Sequence, residues 1–426
     1  MILSYQEEIM QTQLKANNYL LYLYAFFNHL HFFGSLCVPF YLNRLGISYA
    51  LMFAIETVFS ICIFLFEIPT GIVADKFGRK ISLFLGTIFF GISFLISGIT
   101  LNIGVFIFGQ IIGAIGLSLE SGADKALIYE NAKYQNKTPQ EISAIASKFD
   151  GFCTVGMLIA FPLGSIFVSS GIFEYTKSLG FVFIATAFAM FIASVFVIFI
   201  KEPKTILSKN ETSIENLTEE NSTEDKKFKQ KNLILENAKG CLFAFRNPEL
   251  RKLSLDYSVI SAFTFLMFWF YQSLLLENNV NIALNGFVAS GFNLAASLLL
   301  FASGFIQKKI GTSKTRFLSA FIPGVLYILI FLFYKNIYVI LIGIFGITML
   351  RLFRNPILIT QMNLKIQDEN RATVLSGVSM FSRIIVAIFY PLSGMLMDKN
   401  QHVTYLIIGI ATIIFSILLS SSKNEN

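Results

Sequence analysis

Four ionisable residues stand inside long apolar stretches of the 426-residue chain: Glu56, Glu67, Glu120 and Arg383. An ionisable side chain in such surroundings costs roughly 2.5–3.5 kcal/mol on insertion scales, so each one suggests a chemical role. Glu56 and Glu67 are 11 residues apart, and at about 100° per residue both carboxylates fall on one face of a helix. Carboxylates in this setting can take up a proton or pair with a buried cation.

Polar side chains among aromatic residues form a second group of candidates. Asn28 and His29 stand in one apolar stretch, and Trp269, Tyr271 and Gln272 stand in another. Such side chains can bind a small molecule, and His29 can also exchange a proton near neutral pH. A hydrogen bond between helices is the alternative role for His29.

Patterns of enzymes and metal sites are absent from the sequence. There is neither an HExxH pattern nor a Walker A phosphate loop, and the four cysteines lack the spacing of a metal site. We therefore expect no enzymatic activity, no metal, no cofactor and no use of ATP as an energy source.

The composition requires a bilayer around these residues. Hydrophobic residues make up 55% of the chain and charged residues 14%, and the mean hydropathy is +0.66. A water-soluble fold of this size could not cover itself with so few polar groups. Twelve apolar stretches of spanning length follow one another, too long for the strands of a membrane β-barrel. The sequence thus predicts an all-α polytopic membrane protein with 12 transmembrane helices.

Basic residues predict the orientation of the chain. With the N-terminus inside, four of the 33 Lys/Arg residues fall in outer loops, Arg383 lies within a span and the other 28 are on the inner side. This bias places both termini in the cytoplasm. The net charge of +7 is then a consequence of topology, and we expect a lipid bilayer as partner and no nucleic acid.

The predicted spans divide into two sets of six. Residues 201–253 carry 20 charges and include an amphipathic segment at 231–247, so they are expected to form a cytoplasmic linker. The remaining boundaries follow from the apolar stretches. They are a cytoplasmic N-terminus at 1–17, an N-terminal bundle at 18–200, a C-terminal bundle at 254–421 and a cytoplasmic tail at 422–426.

The segment GIVADKFGRK follows the second predicted span and resembles the signature of the major facilitator superfamily, G-x-x-x-D-x-x-G-R-K/R. The matching positions are Gly71, Asp75, Gly78, Arg79 and Lys80. Residues 304–314, GFIQKKIGTSK, look like a decayed second copy of this signature. Gln307 matches neither the residue type nor the position of the signature aspartate cleanly. The segments EIPTG, SGADKALIYE and RATVLS resemble a bacterial and archaeal branch of efflux pumps.

This resemblance implies a fold of two pseudo-symmetric six-helix bundles and suggests roles for the charged residues. The five signature residues would form an inner gate, with Glu120 and Asp124 as partners of Arg79. The family packs helices two and eleven together, which suggests an ion pair between Glu67 and Arg383. Glu67 can instead act only in gating or packing.

The family resemblance also places the polar candidates, while the charge rule and the positions of the span ends place the inner-side charges. It puts span one against a central cavity with spans four, seven and ten, so Asn28, His29, Trp269, Tyr271 and Gln272 become cavity candidates. Arg351 and Arg354 are expected to reach toward the inner interface, and Asp256 to be a helix-end charge.

The function implied by the resemblance is secondary transport of a small-molecule substrate across the plasma membrane by alternating access, by a protein that works as a monomer. Protons or another ion would supply the driving force. The efflux branch favours export of a small, fairly apolar molecule. Uptake of a nutrient or metabolite remains an alternative, and so does a receptor or scaffold that does not transport.

Overall fold

The computed structural model describes residues 2–202, 240–366 and 371–420. Every regular element within these ranges is helical, which confirms the predicted all-α class. Most of the predicted linker and the whole predicted tail lie outside the described residues.

Sixteen helices are labelled here in chain order. They are α1 Ile2–Asn28, α2 Cys37–Pro39, α3 Tyr49–Phe77, α4 Arg79–Ile99, α5 Ile103–Glu120, α6 Ala123–Tyr134, α7 Pro139–Ser169, α8 Tyr175–Phe199, α9 Pro248–Leu255, α10 Ser261–Phe265, α11 Met267–Glu277, α12 Ala283–Phe301, α13 Ser303–Ile310, α14 Thr312–Leu332, α15 Ile337–Leu364 and α16 Arg371–Ser420. Single π-helical turns at Phe40–Arg44 and Asp256–Ile260 continue α2 and join α9 to α10.

Ten helical stretches in the described ranges are long and apolar enough to cross a membrane. The last of them, Thr373–Leu419, has 47 residues and is kinked at Asn400, where φ is −165° and ψ is 101°. The kink divides it into two lengths that can each span. The first predicted span, residues 16–43, is not among the ten, and α1 covers it only as far as Asn28. Counting the kinked helix as two spans and adding the first predicted span makes the count consistent with the twelve predicted spans.

The described residues form two compact units. Unit 1 lies within Met1–Gly34 and Cys62–Phe228, and unit 2 lies within Ser35–Ile61 and Lys229–Asn426. Helix α3 contributes to both, since its residues up to Ile61 belong to unit 2 and its remainder to unit 1.

The first predicted span is a broken helix. Beyond Asn28 the backbone leaves the helix for eight residues before α2 begins, and this irregular segment packs on α7 in unit 1. A Cβ atom added at Gly164 of α7 would lie 1.9 Å from the carbonyl oxygen of Phe32, and one added at Gly156 would lie 2.6 Å from that of Phe26. Glycine on α7 therefore lets this backbone approach closely.

Each unit has its own apolar core. In unit 1 the core joins side chains of α1, α4, α6, α7 and α8, including Leu83 and Ala193. In unit 2 a second core lies around Leu358 and Val378 and includes Ala244. Ala244 belongs to a helical stretch at 240–246, the described part of the predicted amphipathic segment, in which Leu242 is exposed.

The N-terminal end of α3 is held by a carboxylate from α16 within unit 2. Asp398 accepts hydrogen bonds from the backbone N–H groups of Tyr49 (2.8 Å) and Ala50 (2.9 Å). A carboxylate at this position satisfies donors that have no partner inside the helix and complements the helix dipole. A Cβ added at Gly394 would lie 2.6 Å from the carbonyl oxygen of Tyr49, so the two helices meet at backbone distance.

Candidate functional site

The signature loop between α3 and α4 is a tight turn closed by an acid that the sequence did not suggest. Gly78 has φ of +94°, a conformation that favours glycine. Glu202, just after α8, accepts a hydrogen bond from the backbone N–H of Lys80 at 2.6 Å, and the Lys80 Nζ donates to the carbonyl oxygen of Ile198 at 2.7 Å. A carboxylate therefore occupies the N-terminal end of α4.

Arg79 pairs with an acid other than those predicted. Its Nη2 lies 3.4 Å from Oε1 of Glu130 on α6. The predicted pairing with Glu120 and Asp124 is not present, because Glu120 points into the bundle toward α1. Glu130 lies on α6, as Asp124 does, but nearer the C-terminal end of that helix and at the end of the SGADKALIYE segment. That segment was the only sequence signal for it.

Two other signature positions have open surroundings. A Cβ added at Gly71 would meet no heavy atom of the described residues within 4 Å, so no described helix approaches the backbone closely at this glycine. Asp75 is exposed. The second copy of the loop does keep the backbone form, since Gly311 has φ of +91° directly before α14, as Gly78 has before α4.

Glu120 is the centre of a buried polar group in unit 1. It is the last residue of α5 and is 8% exposed, and Asn28 at the end of α1 is 4% exposed. The Asn28 Nδ2 donates to Oε2 of Glu120 at 3.2 Å and to the hydroxyl of Tyr24 at 3.1 Å. The structure thus joins a predicted gate residue to a predicted cavity residue.

Asp124 lies beside this group, with its neighbour Lys125 engaged elsewhere. Lys125 forms an ion pair with Asp150 of α7 and stands over the ring of Phe149, 5.1 Å from its centroid. The basic side chain that follows Asp124 in the sequence is therefore paired with another acid.

Glu56 is the centre of a second polar group, in unit 2. It accepts a hydrogen bond from the hydroxyl of Tyr41 at 2.7 Å. One turn earlier on α3, the ring of Phe53 packs edge-on against Trp269 (6.0 Å between centroids) and Tyr390 (5.3 Å). Glu56 and the cavity candidate Trp269 are thus neighbours of the same aromatic cluster.

The other cavity candidates on α11 serve the packing of unit 2. Tyr271 is fully buried and meets Phe292 edge-on at 5.5 Å between ring centroids. Gln272 is fully buried, and its Oε1 accepts a hydrogen bond from the backbone N–H of Val38 at 2.9 Å. This bond anchors α2 after the break in the first span.

His29 lies in the broken segment beside a second histidine. Its Nδ1 is 3.0 Å from the carbonyl oxygen of Ala25, and its ring stacks on that of His31 at 5.6 Å between centroids. His31 in turn contacts the rings of Phe33 and Phe94. The hydrogen-bonding role of His29 is therefore present, within its own helix end and not between helices.

Glu67 and Arg383 belong to different units, and Glu67 is exposed. The pairing of these two residues stays a prediction. Thr70, one turn after Glu67, donates a hydrogen bond to the carbonyl oxygen of Phe66 at 2.7 Å, next to the helix-interior Pro69.

A buried charge cluster in unit 2 was not predicted. Arg354 of α15 is completely buried, and its Nη2 donates to Oδ1 of Asp256 at 2.8 Å. The Nε of Arg316 lies 3.9 Å from the other carboxylate oxygen. The expectations that Arg354 reaches the inner interface and that Asp256 is only a helix-end charge are wrong, because each is the other's partner inside the bundle.

No group of three or more His, Cys, Asp or Glu side chains within the described ranges could hold a metal ion. The polar groups consist of single carboxyls with amide and hydroxyl neighbours. Such groups can bind and release a proton or a small polar ligand.

Comparisons with known proteins agree with this architecture. The family profile of the Major Facilitator Superfamily matches residues 19–276. No curated protein matches the chain by sequence.

Solved structures of similar fold cover almost the whole chain. The nucleoside transporter NupG is 12% identical with a TM-score of 0.73, over 96% of this chain and 100% of that chain. A POT family transporter in complex with 5-aminolevulinic acid is 14% identical with a TM-score of 0.70, over 94% and 95%. A bacterial homologue of the human lysosomal transporter Spinster, in an inward-facing conformation, is 14% identical with a TM-score of 0.68, over 97% and 96%.

At these identities the solved structures establish a shared fold, and the family profile, which covers more than half of the chain, establishes descent. The protein is a multi-pass membrane transporter rather than an enzyme, and it belongs to the Major Facilitator Superfamily.

Proposed function

We propose that the protein is a proton-coupled exporter of a small, fairly apolar molecule, working as a monomer by alternating access in the plasma membrane. The observation that supports coupling is the pair of polar groups around Glu56 and Glu120. Neither carboxyl has a basic partner within 4.0 Å among the described residues, and a carboxyl without a fixed cation inside a membrane is suited to carrying a proton. Export is favoured by the resemblance of the EIPTG segment to efflux pumps.

Uptake of a nutrient or metabolite is the second candidate. It is favoured by the fold shared with a nucleoside transporter and with peptide transporters. Both directions use the same architecture, so the direction must be measured.

Ethidium, an aromatic cation, is a suitable probe in cells that lack their own multidrug pumps. Expression is expected to lower ethidium accumulation, and a protonophore should remove the difference. An increase in accumulation on expression would contradict export and favour uptake. A decrease that survives the protonophore would contradict proton coupling.

We also propose that Glu67 and Arg383 form an ion pair in one conformation of the transport cycle. Glu67→Arg and Arg383→Glu should each reduce ethidium efflux, because each leaves two like charges together. The double variant restores opposite charges and should recover part of the activity. Equal loss in the double variant would rule out the pair.

The exposed pair Glu174–Lys177 provides a matched control, with an N–O distance of 3.1 Å. A hydrogen bond from Lys177 holds the pKa of the Glu174 carboxyl below its usual value, so the pair is charged at neutral pH. Reversing these two charges should leave efflux unchanged, since surface pairs contribute little.

A further inference from the structure

The contact between Glu120 and Asn28 leaves two buried oxygen atoms without a donor. The Asn28 Nδ2 supplies its two N–H groups to Glu120 Oε2 and to the Tyr24 hydroxyl. Oε1 of Glu120 and Oδ1 of Asn28 are both buried, and neither has a hydrogen-bond partner among the described residues. The hydroxyl of Thr87 lies beside the Glu120 carboxyl, but its one hydrogen is donated to the carbonyl oxygen of Leu83 at 2.8 Å. Both atoms are acceptors if the carboxyl is ionised, so this arrangement lacks a hydrogen.

No cation near Glu120 replaces that hydrogen. Within the described part of the chain, no Lys, Arg or His nitrogen lies within 4.0 Å of its carboxylate, because Arg79 pairs with Glu130 and Lys125 pairs with Asp150. An ionised carboxylate without a partner in such a place costs several kcal/mol.

A neutral carboxyl and a carboxamide complement each other completely. The amide N–H donates to one carboxyl oxygen while the carboxyl O–H donates to the amide oxygen, which closes a ring of two hydrogen bonds. The first bond is present at 3.2 Å between Asn28 Nδ2 and Glu120 Oε2. A proton on Oε1 would supply the second bond and satisfy both remaining acceptors.

We propose that Glu120 carries a transported proton in unit 1, and that it holds this proton as a neutral carboxyl paired with the Asn28 carboxamide. The inference rests on the proposed function and assigns its coupling to a residue for which the family resemblance suggested a role as a gate partner. When the O–H bond of Glu120 breaks, the proton passes to water and two acceptor oxygens face each other. Asn28 must then turn away.

The position of Asn28 links this event to the chain. Asn28 is the last residue of α1, and the irregular segment that contains His29 and His31 begins directly after it. Rotation of the Asn28 side chain acts on the helix end at which the first span changes direction. Loss of the proton is therefore communicated to the broken segment.

Other titratable groups around Glu120 are distributed over the helices that pack near it. Electrostatic interactions connect Glu120 with Asp124 and Tyr24, Tyr24 with Cys153, and His29 with Lys125 and Asp150. None of these groups except Glu120 itself is changed in the variants below, so their own bands are expected in the difference spectrum of each variant.

Infrared difference spectroscopy of the purified full-length protein between acidic and alkaline pH measures protonated carboxyls directly. Glu120→Gln is the main variant, since its amide keeps both bonds to Asn28 without a titratable proton. We expect it to lose one carboxyl band of the wild-type difference spectrum. Glu141→Gln is the matched control, because Glu141 is an exposed carboxyl whose capping box tolerates glutamine. It should retain that band. An unchanged band in Glu120→Gln would overturn the proposal.

Asn28→Leu provides a second measurement that a merely structural contact would not affect. The variant keeps the number and branching of the heavy atoms in the side chain and removes the amide, so the Glu120 band should move in frequency and its midpoint pH should change. A band that keeps both its frequency and its midpoint pH would contradict the pairing with Asn28.

These spectra require no cargo, so their outcome is separate from that of the efflux experiment. If ethidium is not exported but the band is lost in Glu120→Gln, the proton site stands and the proposed function fails. If ethidium is exported and the band persists, the proposed function stands and coupling resides elsewhere.

Discussion

At the scale of single residues, Arg354 and Asp256 form a buried ion pair in unit 2. Their N–O distance is 2.8 Å, and both side chains are less than one-tenth exposed. Arg316 approaches the same carboxylate at 3.9 Å and also donates to Oε1 of Gln361 at 3.3 Å. A single carboxylate therefore compensates two buried guanidinium groups that come from different helices.

Asp256→Asn should destabilise the protein strongly. The substitution keeps the size of the side chain but leaves Arg354 as a buried charge without its counter-ion, a change that costs about 3–5 kcal/mol. The double variant Asp256→Asn/Arg354→Met removes the more deeply buried of the two charges and leaves Arg316 with Gln361, so it should recover part of this loss. Denaturant unfolding in detergent measures both effects.

Lys137→Gln, at a surface pair with Glu141, is the control and should leave the unfolding midpoint unchanged. A midpoint for Asp256→Asn close to that of wild type would mean that the pair does not hold unit 2 together.

The partners in this pair could not be predicted from sequence. Asp256 and Arg354 are separated by 98 positions along the chain, and each lies near the end of an apolar stretch, where a charge has an ordinary explanation in the interface. Which of several such charges meet depends on the rotation of two helices about their axes. Hydropathy does not contain that information.

At the scale of elements, α7 determines the path of the first span. Gly156, Ala160 and Gly164 follow one another at four-residue steps along α7, and Ala160 is fully buried. Small residues with this spacing form a flat stripe against which another backbone can lie. The backbone at Phe26 and Phe32 lies against the two glycines.

Gly164→Ala should disturb this packing far more than Gly151→Ala. An added Cβ at position 164 would lie 1.9 Å from the carbonyl oxygen of Phe32, and helix and broken segment would have to separate. At position 151 an added Cβ meets nothing within 4 Å, so alanine there should be neutral or slightly stabilising through its better helix propensity.

Thermal unfolding of the two purified variants tests this difference. We expect a lower melting temperature for Gly164→Ala and an unchanged or higher one for Gly151→Ala. Equal melting temperatures would show that the close approach at Gly164 does not contribute to stability.

The break in the first span could not be predicted from the sequence. The stretch from residue 16 to residue 43 is apolar and without charge, and it therefore predicts one continuous helix. The glycines that receive the irregular segment lie on α7, more than a hundred residues later. In contrast, the starts of α4 and α14 could be predicted from the sequence, because each is directly preceded by a glycine, the residue that most easily adopts the positive φ found there.

At the scale of the whole molecule, the class and the repeated design were predictable for a physical reason. A charged fraction of 14% cannot solvate a soluble protein of this size, and the apolar stretches must be helical to satisfy their backbone groups in lipid. The division of α3 between the two units was not predictable. It depends on contacts such as that of Tyr49 with Asp398, which are separated by 349 positions.

Basic residues should report the orientation of these helices in the membrane. Lys177 and Lys335 are predicted in outer loops, whereas Lys133 and Lys314 are predicted on the inner side, and all four are exposed. Single cysteines at these positions, in a variant without the four native cysteines, should react differently with a membrane-impermeant maleimide. We expect Lys177→Cys and Lys335→Cys to be labelled in intact cells.

Lys133→Cys and Lys314→Cys should react only after permeabilisation, because positively charged loops are retained on the cytoplasmic side. The cysteine-free variant is the control for background labelling. The opposite pattern would place both termini outside. A third outcome is that only one cysteine of the outer pair and one of the inner pair are labelled in intact cells. The number of spans between some of these positions would then differ from the predicted number, since each additional crossing moves all later loops to the other side.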